Sequence, residues 1–173
     1  KSDYNSSILE IQLEGMLLNI DKNEVWTKLI GDFNAYNILA IYSLGKIYEL
    51  ETIKLLKAIS ELENVQGRLQ SFTTKNKITV IVDYAHTPDA LENVLKTINK
   101  IRNVDQRLIT VVGCGGDRDS KKRPLIGNLV SELSSYVIFT SDNPRSENPK
   151  EILDQILLGV TKTNSKKTDV IVK

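Results

Sequence analysis

The sequence predicts an α/β fold, because short apolar segments alternate with amphipathic helical segments through its second half. Residues that favour turns, namely Gly, Pro, Asn and Asp, separate these segments. Two helical segments begin with a capping residue followed by Pro, a pattern typical of helix starts. The 173 residues, 40% hydrophobic and 26% charged, can bury a substantial core and suit one domain or parts of two.

Charge and cysteine content exclude several classes of protein. The net charge is only +1, which gives no electrostatic case for a nucleic-acid or anionic-membrane partner. The single cysteine, Cys114, excludes an internal disulfide, and no apolar run approaches the roughly 20 residues of a membrane span. We therefore expect a cytoplasmic, monomeric protein that binds no nucleic acid and does not insert into membranes. Because the chain begins with Lys1 rather than Met, we also expect a fragment.

The first 64 residues predict the end of a larger domain rather than a closed unit. Residues 8–13 and 16–20 are apolar runs around a short turn, which indicates a β-hairpin, and residues 25–30 can add a strand. Apolar residues then recur with helical spacing, first over residues 38–47 and then over residues 53–62. Two helices are therefore expected after the strands.

Residues 64–69 break the helical pattern, which predicts one domain over residues 1–64 and a second over residues 65–173. The second domain contains strands at 78–83, 108–112, 137–140 and 170–172, and helices at 88–101, 124–133 and 149–160. Repeated strand–helix–strand units pair in parallel through right-handed crossovers. The prediction is a C-terminal, Rossmann-like parallel sheet with flanking helices, with Thr87 and Asn148 as helix caps.

Asp83 and His86 follow the first strand of this second domain, directly before a helix. A carboxylate and an imidazole at that edge can hold a metal-bound nucleotide or orient phosphates. The residue types alone also allow a structural interpretation, in which His86 is hydrogen-bonded and Asp83 forms a turn.

A glycine-rich loop follows the next strand and reads GCGGDRD over residues 113–119. It permits tight turning but matches neither the dinucleotide fingerprint nor a phosphate loop. Cys114 is expected to pack beneath the loop rather than to act as a nucleophile. The charged residues 117–119 and 121–123 leave open a simple alternative, in which they form just a solvated loop. Arg118 stands between two carboxylates and is well placed to be held rigid for carboxylate binding.

The last polar loop contains Asp142, Asn143, Pro144 and Arg145 and resembles a recognition element. Proline stiffens the loop, the amide offers a donor and an acceptor, and the planar guanidinium can hold a carboxylate through two bonds. A simple turn with an exposed arginine is the alternative that these residues leave open.

Three motifs taken together resemble the Mur ligases of peptidoglycan synthesis. They are VDYAHTPDAL at residues 82–91, GCGGDRD at 113–119 with KRP at 122–124, and TSDNPRSE at 140–147. Residues 29–37 and Gly67-Arg68-Leu69 are similar to the family's central-domain and linker motifs. The resemblance is strongest to the members that add the third residue of the stem peptide.

The resemblance implies an ATP-dependent amide ligase with ATP and Mg²⁺ as cofactors. The resemblance to the members that add the third residue implies that ATP phosphorylates the terminal glutamate carboxylate of UDP-MurNAc-dipeptide, and that the incoming amine then attacks the acyl phosphate. The Asp-Asn-Pro-Arg form goes with meso-diaminopimelate, which has a distal carboxylate that lysine lacks. The implied partners are therefore UDP-MurNAc-dipeptide and meso-diaminopimelate.

The resemblance also implies roles for individual residues and for the two predicted domains. Residues 1–64 would end the central ATP-binding domain, and residues 65–173 would form the C-terminal domain, truncated at its end. The ATP-binding candidates are Asn34, Asn37, Arg68, Asp83 and His86, of which the last three are also the catalytic candidates. The amino-acid site would comprise Arg118, Asp142, Asn143, Pro144 and Arg145, and no residue is assigned as a metal ligand.

The sequence departs from the family in two ways. Gln70 stands where an acidic residue is usual, and no phosphate loop is present, so no ligase activity is expected from these residues alone. Two alternatives stay open. One is a related ligase like folylpolyglutamate synthetase, which shares the fold. The other is a non-catalytic α/β module that binds an amino acid or a nucleotide.

Overall fold

The computed structural model describes residues 3–172, which fold as two compact units that divide between Tyr84 and Ala85. This division lies later in the chain than the domain boundary predicted at residues 64–69, and that boundary stays a prediction. No helix among residues 3–172 combines the length and the apolar character needed to cross a membrane.

The first unit opens with an antiparallel meander of three strands, β1 (Ser6–Gln12), β2 (Gly15–Ile20) and β3 (Asn23–Thr27). The predicted hairpin and third strand are therefore confirmed. Helices α1 (Asp32–Ile47) and α2 (Thr52–Ser60) follow, as the helical spacing predicted. Alternate residues of β2 point to one face, and the apolar stripes of both helices pack with them. The buried cluster comprises Met16, Leu18, Ile20, Val25, Ala35, Ile38, Tyr42, Leu55 and Ile59.

The same unit ends with an antiparallel hairpin of β4 (Gln70–Thr73) and β5 (Thr79–Val82). The sequence analysis placed this last strand in the parallel sheet, so its pairing is corrected. A tight turn explains the difference: Thr74 N–H donates to the Ile78 carbonyl (2.8 Å), and Lys77 adopts a left-handed backbone with φ 59°. Strands joined by so short a turn pair antiparallel.

The second unit contains the parallel sheet that the sequence predicted, with strands β6 (Ile109–Val112), β7 (Tyr136–Thr140) and β8 (Thr168–Ile171) in that order. Helices α3 (Pro88–Ile101), α4 (Lys122–Leu133) and α5 (Pro149–Leu157) flank it, and a 3₁₀ turn (Asn164–Lys167) precedes β8. The central strand is buried by all three helices, in a cluster of Leu91, Leu95, Ile126, Val130, Val137, Phe139, Ile152, Leu153 and Ile156.

Both predicted helix caps are confirmed. Thr87 Oγ1 accepts a hydrogen bond from Ala90 N–H (3.3 Å) at the start of α3. Asn148 Oδ1 accepts one from Lys150 N–H (2.9 Å) at the start of α5. Each bond satisfies a backbone donor that the first helical turn leaves without an intrahelical partner.

Candidate functional site

Two polar segments lie side by side at the carboxyl edge of the parallel sheet. Strands β6 and β7 are hydrogen-bonded neighbours, with Val112 opposite Phe139. Residues 113–120 after β6 and residues 141–148 after β7 therefore begin at the same edge, where open α/β sheets collect ligands. We call these two segments the double loop.

Backbone contacts at Gly116 hold the two segments together. Its N–H donates to the Asn143 carbonyl oxygen (2.9 Å), and its own carbonyl accepts from Nη1 of Arg145. A Cβ at this position would lie 1.8 Å from the Pro144 carbonyl oxygen. The segments can therefore approach this closely only because residue 116 is glycine.

Two residues of the double loop hold a left-handed backbone without being glycine. They are Asp117, with φ 53°, and Arg145, with φ 50°. Such a conformation costs on the order of 1–3 kcal/mol, so contacts in the surrounding structure must hold it. The carboxylate of Asp117 accepts bonds from Ser146 Oγ (2.6 Å) and Ser146 N–H (3.3 Å), which help to hold the conformation. The contacts between Asp117 and Ser146 thus connect the two segments of the double loop.

A buried ion pair joins helix α4 to both segments. Arg123 is 1% exposed, and its Nη1 and Nη2 each donate to the Glu147 carboxylate at 2.7 Å. Nη1 also donates to Gln155 Oε1 (2.8 Å), and Nη2 donates to the Gly115 carbonyl (3.2 Å). The alternative that residues 121–123 form just a solvated loop is therefore wrong for Arg123. A buried guanidinium is tolerated because this two-bond geometry pairs its charge.

Glu147 completes the connection, because its Oε1 also accepts the N–H of Asp117. The Arg123 guanidinium, helped by that N–H, holds the pKa of the Glu147 carboxyl at about 2. Glu147 therefore stays ionised at neutral pH. Neither Arg123 nor Glu147 is among the site residues predicted from the sequence. The available signal was a basic residue directly before a helix proline, together with an acidic residue in the neighbouring loop.

Cys114 packs below the double loop, as predicted. It is half-buried and contacts the apolar cluster of the second unit. Burial raises the pKa of its thiol to about 11. Because the thiolate is the nucleophilic form of cysteine, this side chain is a poor nucleophile at neutral pH.

The double loop exposes the side chains that the sequence assigned to an amino-acid substrate. Arg118, Asp142, Asn143 and Arg145 are exposed, and Pro144 is half-buried. Residues 142–145 lie against residues 115–117 through the contacts described above, and Arg118 directly follows Asp117. The structure thus brings these five candidates onto one element of the fold, and their roles in binding stay predictions.

Two nucleotide candidates, Arg68 and Asp83, meet in the first unit. Leu69 N–H donates to Oδ2 of Asp83 (2.8 Å). The Arg68 guanidinium carbon lies 4.8 Å from the centre of the Tyr84 ring, a cation–π contact. We call residues 67–70 together with Asp83 and Tyr84 the linker turn.

Gln70 helps to form the linker turn. Its Oε1 accepts the N–H of Gly67 (3.1 Å). Gly67 and Leu69 both hold positive φ values, 72° and 43°, and Leu69 is buried. A side-chain amide thus stabilises the turn at the position where the sequence analysis expected an acidic residue.

The other nucleotide candidates lie elsewhere. Asn34 and Asn37 are neighbours in the first turns of α1, where Asn34 Nδ2 donates to the Ile30 carbonyl (2.8 Å) and Asn37 Nδ2 donates to Asn34 Oδ1 (3.3 Å). His86 belongs to the second unit, where it is exposed and precedes the Thr87 cap of α3.

The family follows from comparison of the sequence with known proteins. Residues 67–172 match the family model described as Mur ligase, glutamate ligase domain. The chain belongs to the Mur ligase family. A Phocaeicola vulgatus protein named UDP-N-acetylmuramoyl-L-alanyl-D-glutamate--2,6-diaminopimelate ligase is 48% identical over 166 residues, which cover 96% of this Mur ligase chain and 34% of that protein. The chain thus spans about a third of the length of the curated relatives it matches.

Solved structures agree with this membership. The structure of a UDP-N-acetylmuramoyl-L-alanyl-D-glutamate--2,6-diaminopimelate ligase is 33% identical, with a TM-score of 0.67, covering 100% of this Mur ligase chain and 36% of that one. Folylpolyglutamate synthase from Thermotoga maritima gives a TM-score of 0.71 at 18% identity, covering 99% of this chain and 40% of that one. At that identity the likeness shows a shared fold alone.

Proposed function

We propose that this chain belongs to an ATP-dependent amide ligase of peptidoglycan synthesis that adds meso-diaminopimelate to UDP-MurNAc-L-Ala-D-Glu. The name of the 48% identical relative supports this substrate pair. Because the chain spans about a third of such relatives, we assign the reaction to a full-length enzyme that includes these residues. The proposal places that enzyme in the cytoplasm, as a monomer.

The proposed amino-acid specificity rests on one observation: Arg145 is exposed on a double loop whose two segments are bonded to each other. The left-handed backbone of Arg145 and the bond from its Nη1 to the Gly116 carbonyl restrict the position of its guanidinium group. A guanidinium has more N–H donors than this one bond uses, so it can still present a two-bond fork to a carboxylate. The distal carboxylate of meso-diaminopimelate is the group that such a fork would bind, and Arg118 is the candidate for a second contact.

The nucleotide half of the proposal rests on Arg68, Asp83 and His86. When bound, ATP with Mg²⁺ supplies the phosphoryl group that turns the glutamate carboxylate into a reactive acyl phosphate. A nucleotide-bound Mg²⁺ takes one or two protein carboxylates and several phosphate oxygens. Asp83 could supply one such carboxylate. In the described part of the chain, no cluster of three His, Cys, Asp or Glu side chains could hold a metal without a nucleotide.

Of the two asparagines, Asn37 is the better candidate for the adenine. Asn34 uses its amide to tie the start of α1 to the Ile30 carbonyl. Asn37 is exposed one turn further along the same helix. We therefore propose that Asn37 contacts the adenine and that Asn34 positions the start of α1.

The two alternatives receive less support. The likeness to folylpolyglutamate synthase is one of fold alone, at 18% identity. A non-catalytic module would use the same double loop to bind an amino acid, but it would hydrolyse no ATP. ADP release that requires both amino acid and UDP-MurNAc-dipeptide therefore separates that alternative from the proposed ligase.

The proposal is tested with Arg145→Ala in the full-length enzyme. A charged hydrogen bond is worth roughly 1.5–3 kcal/mol, so kcat/KM for meso-diaminopimelate should fall at least about tenfold while lysine loses much less. Arg145→Lys should rescue only in part, because an ammonium lacks the planar fork. Lys150→Ala changes an exposed cation on the first turn of α5 and serves as the control. An unchanged diaminopimelate-to-lysine ratio in Arg145→Ala would show that Arg145 does not select the substrate.

A further inference from the structure

The Arg123–Glu147 pair differs from the ion pairs on the surface of this chain. The pair between Lys28 and Glu63, for example, has side chains that are 54% and 76% exposed, whereas those of Arg123 and Glu147 are 2% and 30% exposed. Exposed pairs contribute little to stability, and a buried pair is often no more stabilising than apolar residues of the same volume. Stability alone therefore gives a weak reason for a buried arginine at this position.

The contacts of the pair point instead to a role in geometry. Arg123 bonds to the first segment of the double loop at Gly115, to the second segment at Glu147, and to helix α5 at Gln155. Glu147 also bonds to the first segment, because its Oε1 accepts the N–H of Asp117. Helices α4 and α5 and both segments of the double loop, four elements in all, therefore share one network of directional, charge-assisted bonds.

The anchor points of this network lie next to the proposed ligand side chains. Asp117, whose N–H is held by Glu147, directly precedes Arg118. Glu147 itself lies two residues after Arg145. The two residues of the double loop with positive φ are thus close to the network: Asp117 bonds to Glu147, and Arg145 lies two residues before Glu147. A shift of the Arg123–Glu147 pair would therefore move the backbone that carries the exposed side chains of Arg118 and Arg145.

We propose that Arg123 and Glu147 are positioning residues for the amino-acid substrate, which set the spacing of Arg118 and Arg145 by fixing both segments of the double loop. This inference rests on the proposed function. Neither residue contacts the substrate in this arrangement. A carboxylate that meets two guanidinium groups at the wrong spacing loses part of its charged hydrogen bonds, so the pair can control the affinity for the amino acid from beneath the binding surface.

The decisive variant is Glu147→Gln in the full-length enzyme. Glutamine keeps the volume and one acceptor for the Asp117 N–H, but its NH₂ group opposes a guanidinium donor where a carboxylate oxygen accepted. We expect the KM for meso-diaminopimelate to rise about tenfold or more, with the KM for ATP unchanged within about twofold. A merely structural role would lower the amount of folded enzyme and thus the apparent kcat, but it would leave both KM values unchanged.

Two further variants complete the kinetic test. Glu151→Gln removes an exposed carboxylate from the first turn of α5 and should leave all KM values unchanged. Gln155→Met removes one acceptor of Arg123 without touching its charge partner, and it should raise the KM for meso-diaminopimelate by a smaller factor. If Glu147→Gln does not fold, Gln155→Met decides the question, and an unchanged KM in that variant overturns the inference.

Hydrogen exchange gives an independent readout. In wild-type enzyme the amide of Asp117 is bonded to Glu147, and that of Gly116 to Asn143. Peptides that cover residues 113–120 should exchange faster in Glu147→Gln than in Glu151→Gln. Unchanged protection together with an unchanged KM for meso-diaminopimelate overturns the inference alone. A wild-type enzyme that does not use meso-diaminopimelate overturns the proposed function, and the positioning role for that substrate fails with it.

Discussion

Arg145 of the double loop and Arg68 of the linker turn are both exposed, but the structure holds them in different ways. Arg145 lies in an element that is cross-tied by backbone bonds, by the Asp117 carboxylate and by a buried ion pair. Arg68 is exposed and stacked on the Tyr84 ring, beside a turn in which Asp83 accepts the Leu69 N–H and Gln70 accepts the Gly67 N–H. The first element is built around a buried charge, and the second is built around local turn contacts.

This difference matches what each proposed ligand requires. Discrimination between two amino acids that differ by one carboxylate requires a cation in a fixed place, and preorganised groups avoid an ordering cost on binding. A phosphate chain carries several negative charges, and the attraction between charges falls only gradually with distance, so the charge of a residue beside it should matter more than a precise spacing. The double loop is therefore where geometry should matter most, and the linker turn is where charge should matter most.

Loss of Asp83 should produce the largest effect and tests the role of charge in the linker turn. Asp83→Ala and His86→Ala should each lower turnover by a factor on the order of 10² to 10⁴ if the side chain positions the transferring phosphoryl group. Asp83→Asn is the informative control, because an amide oxygen can still accept the Leu69 N–H while the charge is lost. Steady-state turnover in Asp83→Asn close to the wild-type value would assign Asp83 to the turn alone.

Gly116→Ala should come next and tests the role of geometry in the double loop. The new Cβ would overlap the Pro144 carbonyl oxygen, so the two segments must separate. We expect a rise of about tenfold or more in the KM for meso-diaminopimelate, with a smaller change for ATP. Gly67→Ala is the matched change in the linker turn, where space is open but φ is 72°. An equal rise for both substrates in Gly116→Ala would mean that the double loop is not specific to the amino acid.

The pH dependence of the double loop should give an intermediate effect. The pKa of Glu147 is about 2 in the folded protein and 4.5 as its ordinary value, so its stabilising contribution is complete above about pH 4.5 and is lost as the pH falls towards about 2. Protection of residues 113–120 against hydrogen exchange, corrected for the intrinsic rate, should therefore differ most between wild type and Glu147→Gln above pH 4.5. A difference that persists unchanged at pH 2 would contradict this account.

The smallest effect should come from Tyr84→Leu, which removes the ring below Arg68. A cation–π contact at an exposed site contributes about 0.5–1 kcal/mol, which corresponds to roughly a two- to fivefold rise in the KM for ATP. Tyr84→Phe keeps the ring face and removes only the hydroxyl, so it separates the contribution of the ring from that of the hydroxyl. If both variants behave alike, the ring does not position Arg68.

The parts of the fold that could be predicted depend on neighbours in the sequence. The Thr87 cap with Pro88 marked the start of α3, and polar residues after two apolar runs marked the loops at the sheet edge. The antiparallel hairpin was missed because β4 is a short, largely polar segment, QSFT, with no clear apolar alternation. Its pairing depends on the turn at residues 74–77 rather than on a pattern in the strand itself.

The candidate site was predicted in the same uneven way. Arg118, Asp142, Asn143, Pro144 and Arg145 could be found because exposed polar residues in a loop stand out against apolar strands. The Arg123–Glu147 bond joins residues 24 positions apart, and each partner taken alone is typical of a solvated charge. Only the three-dimensional arrangement shows that Arg123 is buried, because burial depends on contacts from Gly115, Glu147 and Gln155 together.

The separation between buried Arg123 and exposed Arg145 also bears on how substrate preference can be re-engineered. The residue that holds the double loop in shape differs from the residues that would meet the ligand. Substitutions at positions 118, 142 and 143 therefore change the groups that would meet the ligand without removing a side-chain bond described for the scaffold, whereas substitutions at 123, 145 and 147 remove bonds that hold the two segments together. A mutant library aimed at a different third stem residue should randomise the first set and leave positions 123 and 147 untouched.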